Sequence, residues 1–452
     1  MPYIGRAPTA SITKLEDADQ DTKIQVEESS DEDIIRFDIA GAEDFTMTAD
    51  TFTAAASSIV ALDDGAVGAP ALTNTGDLNT GVYFPAADTV GVVTGGTERF
   101  RFGSNPIPGG SKNLLINGDF AIFQRGTNIT GVVPGSQYHA DQWQSRGGYG
   151  TLADRYTVSR VAASGDALAA GHYHAMRCET TTAEAAPNIN RYSGLANCIE
   201  FYNVHQLAWG TASARDITIT FWVRSSETGT FGFAAALNNG AAALPTSYTI
   251  SSANTWEKKT ITIAGNTATA LSSSAALRFN WLLQLGSSAF SGTQNTWGSK
   301  MGYTAIVDIA GTTGRYLELA GVQVEIGDLA TDFAFEHTAV TLLKCQRYFE
   351  RRNWADAADM IGHGASTYTS TSAAAVFFKQ EMRTSPTITL TTASTYRFID
   401  QTNSATAASS ASAGAISPTT FSLQLSHGSD PTRGAGYITS VSATYFEASA
   451  EI

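Results

Sequence analysis

Between Asp77 and Phe102 the chain reads DLNTGVYFPAADTVGVVTGGTERFRF, with apolar residues at alternate positions in runs too short for a helix. Alternation of period two in short runs specifies half-buried β-strand, because successive side chains of a strand point to opposite faces. The Gly95-Gly96 pair between VGVVT and ERFRF marks a turn joining two such runs. The same pattern appears upstream. Ile24 and Val26 alternate with polar neighbours, SSDED makes an acidic turn, and Ile35, Phe37 and Ile39 alternate with Arg36 and Asp38. Phe45, Met47 and Phe52 continue it, and GAVGAPALTNTGDLNTG reads as loop. These strands are short and their apolar stripes thin. About a hundred residues with so little core per unit are marginal as a monomer. Trimerisation on a shared axis would set each stripe against its copies. A monomeric domain docked on its neighbour would show the same pattern.

Residues 103–112, GSNPIPGGSK, break the pattern with two prolines and three glycines and read as a linker. Beyond it the strands lengthen: 216–226, 229–237, 255–264, 277–286 and 314–327 are rich in aromatic and β-branched residues, with small-residue loops between them. That spacing predicts an antiparallel sandwich and not βαβ units. TAVTLLKCQRYFERR (338–352) holds one helical stretch, with Val340, Leu343 and Arg347 on one face. SAAAVFFKQEMRTSPTITLTT, FSLQLSHG and GYITSVSATYFEAS predict a second, smaller sandwich, and NSATAASSASAGAISPTT reads as a low-complexity loop between its strands. The expected fold is therefore all-β. A leader (1–22) precedes a trimerising β stem (23–110), a central jelly-roll sandwich (111–343) and a smaller C-terminal β-sandwich (344–452).

Composition narrows the function. The formal net charge is −14, which argues against a nucleic-acid partner, since phosphate contact needs clustered Lys and Arg. The nearest cluster, Lys344 with Arg347, Arg351 and Arg352, reads as a solvated face. No run approaches the roughly 18 apolar residues of a membrane span, so no membrane insertion is expected, and residues 1–21 have no apolar core of signal-peptide length. Three cysteines, Cys178, Cys198 and Cys345, make no disulfide framework and read as buried free thiols; a Cys178–Cys198 bridge across neighbouring strands is the alternative.

Catalytic signatures are missing. The sequence holds no GxSxG, HExxH or Walker-type loop. His172 and His174 in HYH share a face if they lie on a strand, but a metal there would need a distant third ligand. A glycan-cleaving enzyme needs two carboxylates about 5 to 9 Å apart, and Glu318, Glu325 and Asp119 are the candidates, none of them marked as a pair. Neither an enzyme activity nor a cofactor is expected. Aromatic residues at loop edges, Tyr138, Trp143, Trp209, Trp297 and Trp354, are the candidates for a platform that stacks on sugar rings.

Three motifs carry a resemblance. DLNTGVYFPAADTVGVVTGGTERFRF, with IIRFDIAG upstream and MPYIGRAP at the start, resembles modules of bacteriophage tail fibres and other virion appendages. NLLINGDFAIFQRG, YHADQWQ (138–144) and ELAGVQVEIGDLATDFAFEHTAVTLLKCQRYFER resemble the start and end of a carbohydrate-binding-like jelly roll of such fibres. FFKQEMRTSPTITL resembles the opening of the small β domain that follows it. The resemblance implies a homotrimeric virion protein anchored by its N-terminus, with Tyr3 and Ile4 as anchors on a tail or portal-proximal protein. Its distal domains would bind a host surface glycan or receptor. A single GVYFPAADT motif implies a short fibre. In relatives a structural calcium can sit near the first and last strands, where Asn117, Asp119 and Glu325 stand; no metal site is assigned. A head fibre or tail collar with a purely architectural role, and a glycan-depolymerising tailspike, are the alternatives.

Overall fold

The computed structural model describes residues 14–26, 33–55, 58–103, 113–133, 135, 137–147, 155–184, 191–237, 240, 242–272, 277–289, 291–354, 360–368, 370–428, 434–440 and 444–451. Tyr3, Ile4 and most of the linker lie outside the described residues. The chain is all-β and divides into two units, 1–107 and 108–452. No described helix is long and apolar enough to cross a membrane.

The first unit is built from two antiparallel meanders. Lys14–Glu16, Lys23–Gln25, Ile35–Ile39, Ala42–Met47 and Phe52–Ala54 pair in sequence order. The second sheet pairs Leu72–Asn74, Asp77–Ala86, Thr89–Thr94 and Thr97–Phe102 in the same way. GAVGAP, expected as loop, contributes the small Gly65–Ala66/Ala69–Pro70 pair. Gly95 and Gly96 make the last hairpin turn, with φ of 57° and 70°; two successive left-handed residues match the twist of the strands they join.

Register decides what each face carries. In the first sheet Leu15 pairs with Ile24, Ile24 with Phe37, and Phe37 with Phe45, so one apolar row crosses four strands. Phe45 and Phe52 stack beside it at 5.3 Å. The opposite face is ionic, with Lys23–Asp38 at 3.0 Å and Arg36–Glu43 at 2.5 Å. In the second sheet Leu72, Val82, Val92 and Phe100 make the corresponding row. Behind it Tyr83 Oη donates to Glu98 (2.5 Å), which also pairs with Arg101 (2.6 Å). Among the described residues of this unit only Tyr83 and Val93 are buried hydrophobics, while fourteen large apolar side chains are exposed.

In the second unit two six-stranded antiparallel sheets pack face to face. The first runs Asn128–Val132, Tyr156–Ala162, His174–Thr180, Tyr316–Ile326, Ile217–Ser225, Glu257–Ile263. The second runs Gln137–Tyr138, Trp143–Gly147, Tyr192–Ile199, Leu277–Leu285, Gly229–Leu237, Ala243–Ile250. Trp281 stands near the middle of the core, with ring centroids 5.3 Å from Trp143, 5.6 Å from Phe221 and 5.0 Å from Phe233. The Tyr316–Ile326 strand faces the core with Leu317 and Leu319, then with Val322 and Val324. The change of parity is made by a bulge at Gly321 (φ 54°): Trp222 pairs with Ala320 and Thr220 with Gln323, leaving an extra residue between.

The Thr338–Gln346 helix follows, shorter than the 338–352 stretch that suggested it. His337 caps it by accepting from Ala339 N (3.2 Å), and the chain then turns into the Phe349–Trp354 strand. The C-terminal part is β as expected, but its main sheet closes on itself. Met360–Tyr368, Thr371–Phe377, Thr420–His427, Ala405–Gly414, Tyr396–Asp400 and Gly434–Ser440 form a six-stranded barrel. Phe349–Trp354, Thr444–Ser449 and Thr387–Leu390 make a separate three-stranded sheet. The barrel corrects one expectation: ATAASSASAG (405–414), read as low-complexity loop, is a ten-residue strand with Ala408 buried and Ala411 and Ala413 packed on the core. Alanine is small enough to line a narrow barrel and too weakly apolar to announce a strand.

Candidate functional site

The segment 113–126 forms no strand, yet it fastens the end of the sandwich. Asn113 Oδ1 accepts from Leu115 N and Val324 N (both 3.0 Å), and its Nδ2 donates to Val322 O (3.0 Å). Asn117, in the left-handed region (φ 59°), donates to Ile122 O (2.9 Å) and Asp141 O (3.0 Å) and accepts from Ile122 N (3.0 Å). Trp143 Nε1 donates to Asn117 O (3.1 Å). The NLLINGDF motif thus ties the last strand of one sheet to the first hairpin of the other.

Between this segment and the chain after the last strand lies a cavity of ≈ 30 Å³, lined among others by Asn113, Asp119, Phe333, Glu336, Thr341 and Lys344. Burial pushes the Asp119 carboxyl up, opposed by the Ala121 backbone N–H and by nearby His174, while Glu336 adds to the rise. Glu336 is held by an ion pair with Lys344 and by Thr341 Oγ1, which donates at 3.0 Å. Burial lowers His174, with Arg160 acting in the same sense and Asp119 against it. Burial lowers His172 to about 4, and Lys258 acts in the same direction.

Next to the cavity the surface turns aromatic. Phe335 is 57% exposed, its ring 4.9 Å from Phe333 and 5.3 Å from His172. Tyr173 is 70% exposed and meets His174 edge-on at 4.9 Å. The Phe335 ring, packed on Phe333 of the cavity wall, and the Tyr173 ring, packed on His174, thus offer apolar faces to solvent, while Asp119, Glu336 and Lys344 of the cavity wall can make directed hydrogen bonds. The sequence reading missed Phe335, Tyr173, Glu336 and Lys344 as site residues. The signal was present in HYH and in the alternating FAF of DFAFEHT, which falls just beyond the last strand.

The aromatic residues chosen from sequence fare differently. Trp143 is fully buried against Phe120 and Trp281, and Trp354 is buried against Phe446, so neither presents a face to a sugar. Trp209 is buried too, donating Nε1 to Arg215 O (2.8 Å) and packing edge-on against Trp297 at 5.1 Å. These three corrections share a cause: a large ring, whether on a sandwich strand (Trp143), in a turn (Trp209) or on the three-stranded sheet (Trp354), contributes most by filling a core. Trp297 and Tyr138 are half-buried, the latter 5.4 Å from the Arg125 guanidinium.

The polar candidates are committed elsewhere. Glu318 is fully buried and bridged by Arg224 (Nε 2.6 Å, Nη2 3.0 Å) and Arg177 (Nη1 3.1 Å). Glu325 accepts from Thr331 N (3.0 Å) and from its hydroxyl. The Asn117 side chain is committed to the Ile122 and Asp141 backbone. His172 packs between Phe333 and Phe335, whereas His174 lies near Asp119. Cys178 and Cys198 lie on opposite sheets, and all three thiols are buried, outside any disulfide and pushed up by burial. Among the described residues one trio of acidic side chains could share an ion, Asp17, Asp19 and Asp21, all exposed in the first unit.

No protein-family model matches the sequence, and no curated protein matches it. Three solved structures are similar in part. A candidate sugar-binding protein of Bacteroides thetaiotaomicron has TM-score 0.29 and 12% identity, over 47% of this chain and 99% of that one. The enzymatically active domain of tailspike protein 4 of bacteriophage CBA120 has TM-score 0.26 and 12% identity, over 48% of this chain and 21% of that one. A family 11 carbohydrate-binding module of Clostridium thermocellum has TM-score 0.22 and 15% identity, over 45% of this chain and 96% of that one.

Proposed function

We propose that the chain is a virion appendage protein of a tailed bacteriophage, assembled as a homotrimer through residues 14–103, that presents the sandwich and barrel to a glycan on the host surface. The observation that carries this reading is the pair of apolar rows, Leu15·Ile24·Phe37·Phe45 and Leu72·Val82·Val92·Phe100, in which Leu15, Ile24, Leu72 and Phe100 are exposed and the other four only half-buried. Two meanders with, among their described residues, two buried hydrophobics and fourteen exposed large ones have too little core to offset the entropy of folding alone. Copies of the same chain supply the missing half of each core in correct stoichiometry. The threefold count and the particle rest on the appendage-like motifs of residues 34–41 and 77–102. The glycan rests on the rings of Phe335 and Tyr173 beside Asp119, Glu336 and Lys344, and trimerisation would turn three weak contacts into avidity.

Light scattering on the full chain and on the fragment 113–452, at several concentrations, tests the assembly: a trimer and a monomer are expected. A full chain that is monomeric at every concentration overturns it. Titration of purified host-surface polysaccharides against the wild type and the Tyr173→Ala/Phe335→Ala double variant tests the glycan site, with loss of binding at unchanged mass expected. Equal binding by both moves recognition elsewhere, and no binding by either favours the architectural reading.

A further inference from the structure

Two of the sequence motifs meet where the sandwich joins the C-terminal sheet. Gln124 donates Nε2 to Asp141 Oδ1 (2.6 Å) and to Phe349 O (2.7 Å), and its Oε1 accepts from Arg351 N (3.3 Å). Its neighbour Arg125 lies 3.5 Å over the Phe349 ring and donates Nη2 to Glu451 Oε1 (2.7 Å). Gln142 donates to the other Glu451 oxygen (3.2 Å). Arg383 fastens the same end of the chain through the carbonyls of Ala450 (2.8 Å) and Glu451 (2.6 Å). The seam therefore buries two carboxyls, Asp141 of the sandwich and Glu451 of the C-terminal part, around one guanidinium, which hydrogen-bonds Glu451 while Asp141 is bonded by Gln124.

We propose that this seam is a proton-linked joint, in which the Asp141–Arg125–Glu451 cluster takes up a proton as the sandwich and the C-terminal part close on each other and releases it as they part. Separation returns both carboxyls to water, where each ionises in the ordinary range. Closure removes that water. Burial pushes Asp141 up against the pull of Arg125 and Gln124, and pushes Glu451 up against Arg125, with Asp141 adding to the rise. The other groups around the cluster do not neutralise it near pH 7. Burial holds the Tyr138 phenol and the Cys198 and Cys345 thiols protonated. His139 is lowered to about 3 by burial and by Arg125, so it is uncharged. Arg146 acts on Tyr138, Asp119 on Cys345, and Arg383 on backbone carbonyls. Because both carboxyls are raised in the closed state, their contribution to closure is full below the ordinary carboxylate range. It is lost as pH rises through the raised values.

Hydrogen–deuterium exchange of the full chain, followed in peptides covering 345–351 and 444–451 and corrected for intrinsic rates, reads the opening directly. Opening at pH 8 is expected to be at least tenfold more frequent than at pH 5. Glu451→Gln, which leaves one carboxylate for Arg125, should slow opening at pH 8 and flatten the pH dependence; Asp141→Asn serves as the second variant. Equal opening of the wild type at the two pH values overturns the proposal. So does a pH dependence that survives in both variants, or faster opening of Glu451→Gln at pH 8.

Discussion

The first unit and the sandwich are written in the same two-residue alternation and come to opposite ends. In the sandwich, Ile217, Ile219, Phe221 and Val223 turn inward and are fully buried, because a second sheet of the same chain covers them. In the first sheet, Ile35 and Ile39 also point to one face and remain 39% and 54% exposed. Alternation states which face must be covered, not what covers it. Where one chain holds both halves of a core, the pattern yields a domain; where it holds one half, as we propose for the first unit, the same pattern would specify an interface.

The comparison breaks most visibly at the two centres. Trp281→Ala should destabilise the sandwich by about 4 kcal/mol, since a large ring leaves a cavity its neighbours cannot fill, read as a lower chemical-denaturation midpoint of fragment 113–452. Phe37→Asp should leave that fragment's denaturation unchanged within the full chain and abolish assembled mass in light scattering. If Phe37→Asp leaves the mass intact, the apolar row is not the interface. Next comes Glu318→Gln, expected to cost about 3 kcal/mol, because it leaves Arg177 and Arg224 facing a neutral group in a buried setting. An effect below 1 kcal/mol would mean that water reaches the pair. Asn117→Ala should cost about 2 kcal/mol by stranding the Asp141 carbonyl and the Ile122 N–H, while the Ile122 carbonyl keeps its bond from Asp141 N (3.3 Å).

How much of this was legible follows from what each residue answers to. The five sandwich strands read from sequence lie within two residues of their observed ends, since aromatic and β-branched residues at period two have few other uses, whereas Tyr156–Ala162, His174–Thr180, Tyr192–Ile199 and Ala243–Ile250 were not read. The alanine-rich barrel strand was not, because its register is set by Thr420–His427 beside it and not by its own side chains. For the site, HYH and Asp119 were noticed as chemistry, but the parity change at Gly321 and the path of residues 328–337 belong to tertiary structure. Tryptophan misled for a physical reason: its area makes it equally valuable inside a core and on a platform, and composition does not separate the two.

The smallest expected effect tests the comparison most finely, because it uses neighbouring residues. Arg36 and Phe37 are adjacent on one strand and point to opposite faces of the first sheet, Arg36 toward Glu43 and Phe37 into the apolar row. Arg36→Ala removes an ion pair whose carboxylate is 41% exposed, and such pairs contribute about 0.5 kcal/mol or less. Assembled mass and thermal midpoint should therefore stay within error of the wild type, in low and in high salt alike. If instead Arg36→Ala dissociates the assembly and salt does the same, the ionic face is the one that meets its copies. The apolar row would then need another cover, and the account of the first unit as half a core would fail on the face it was built from.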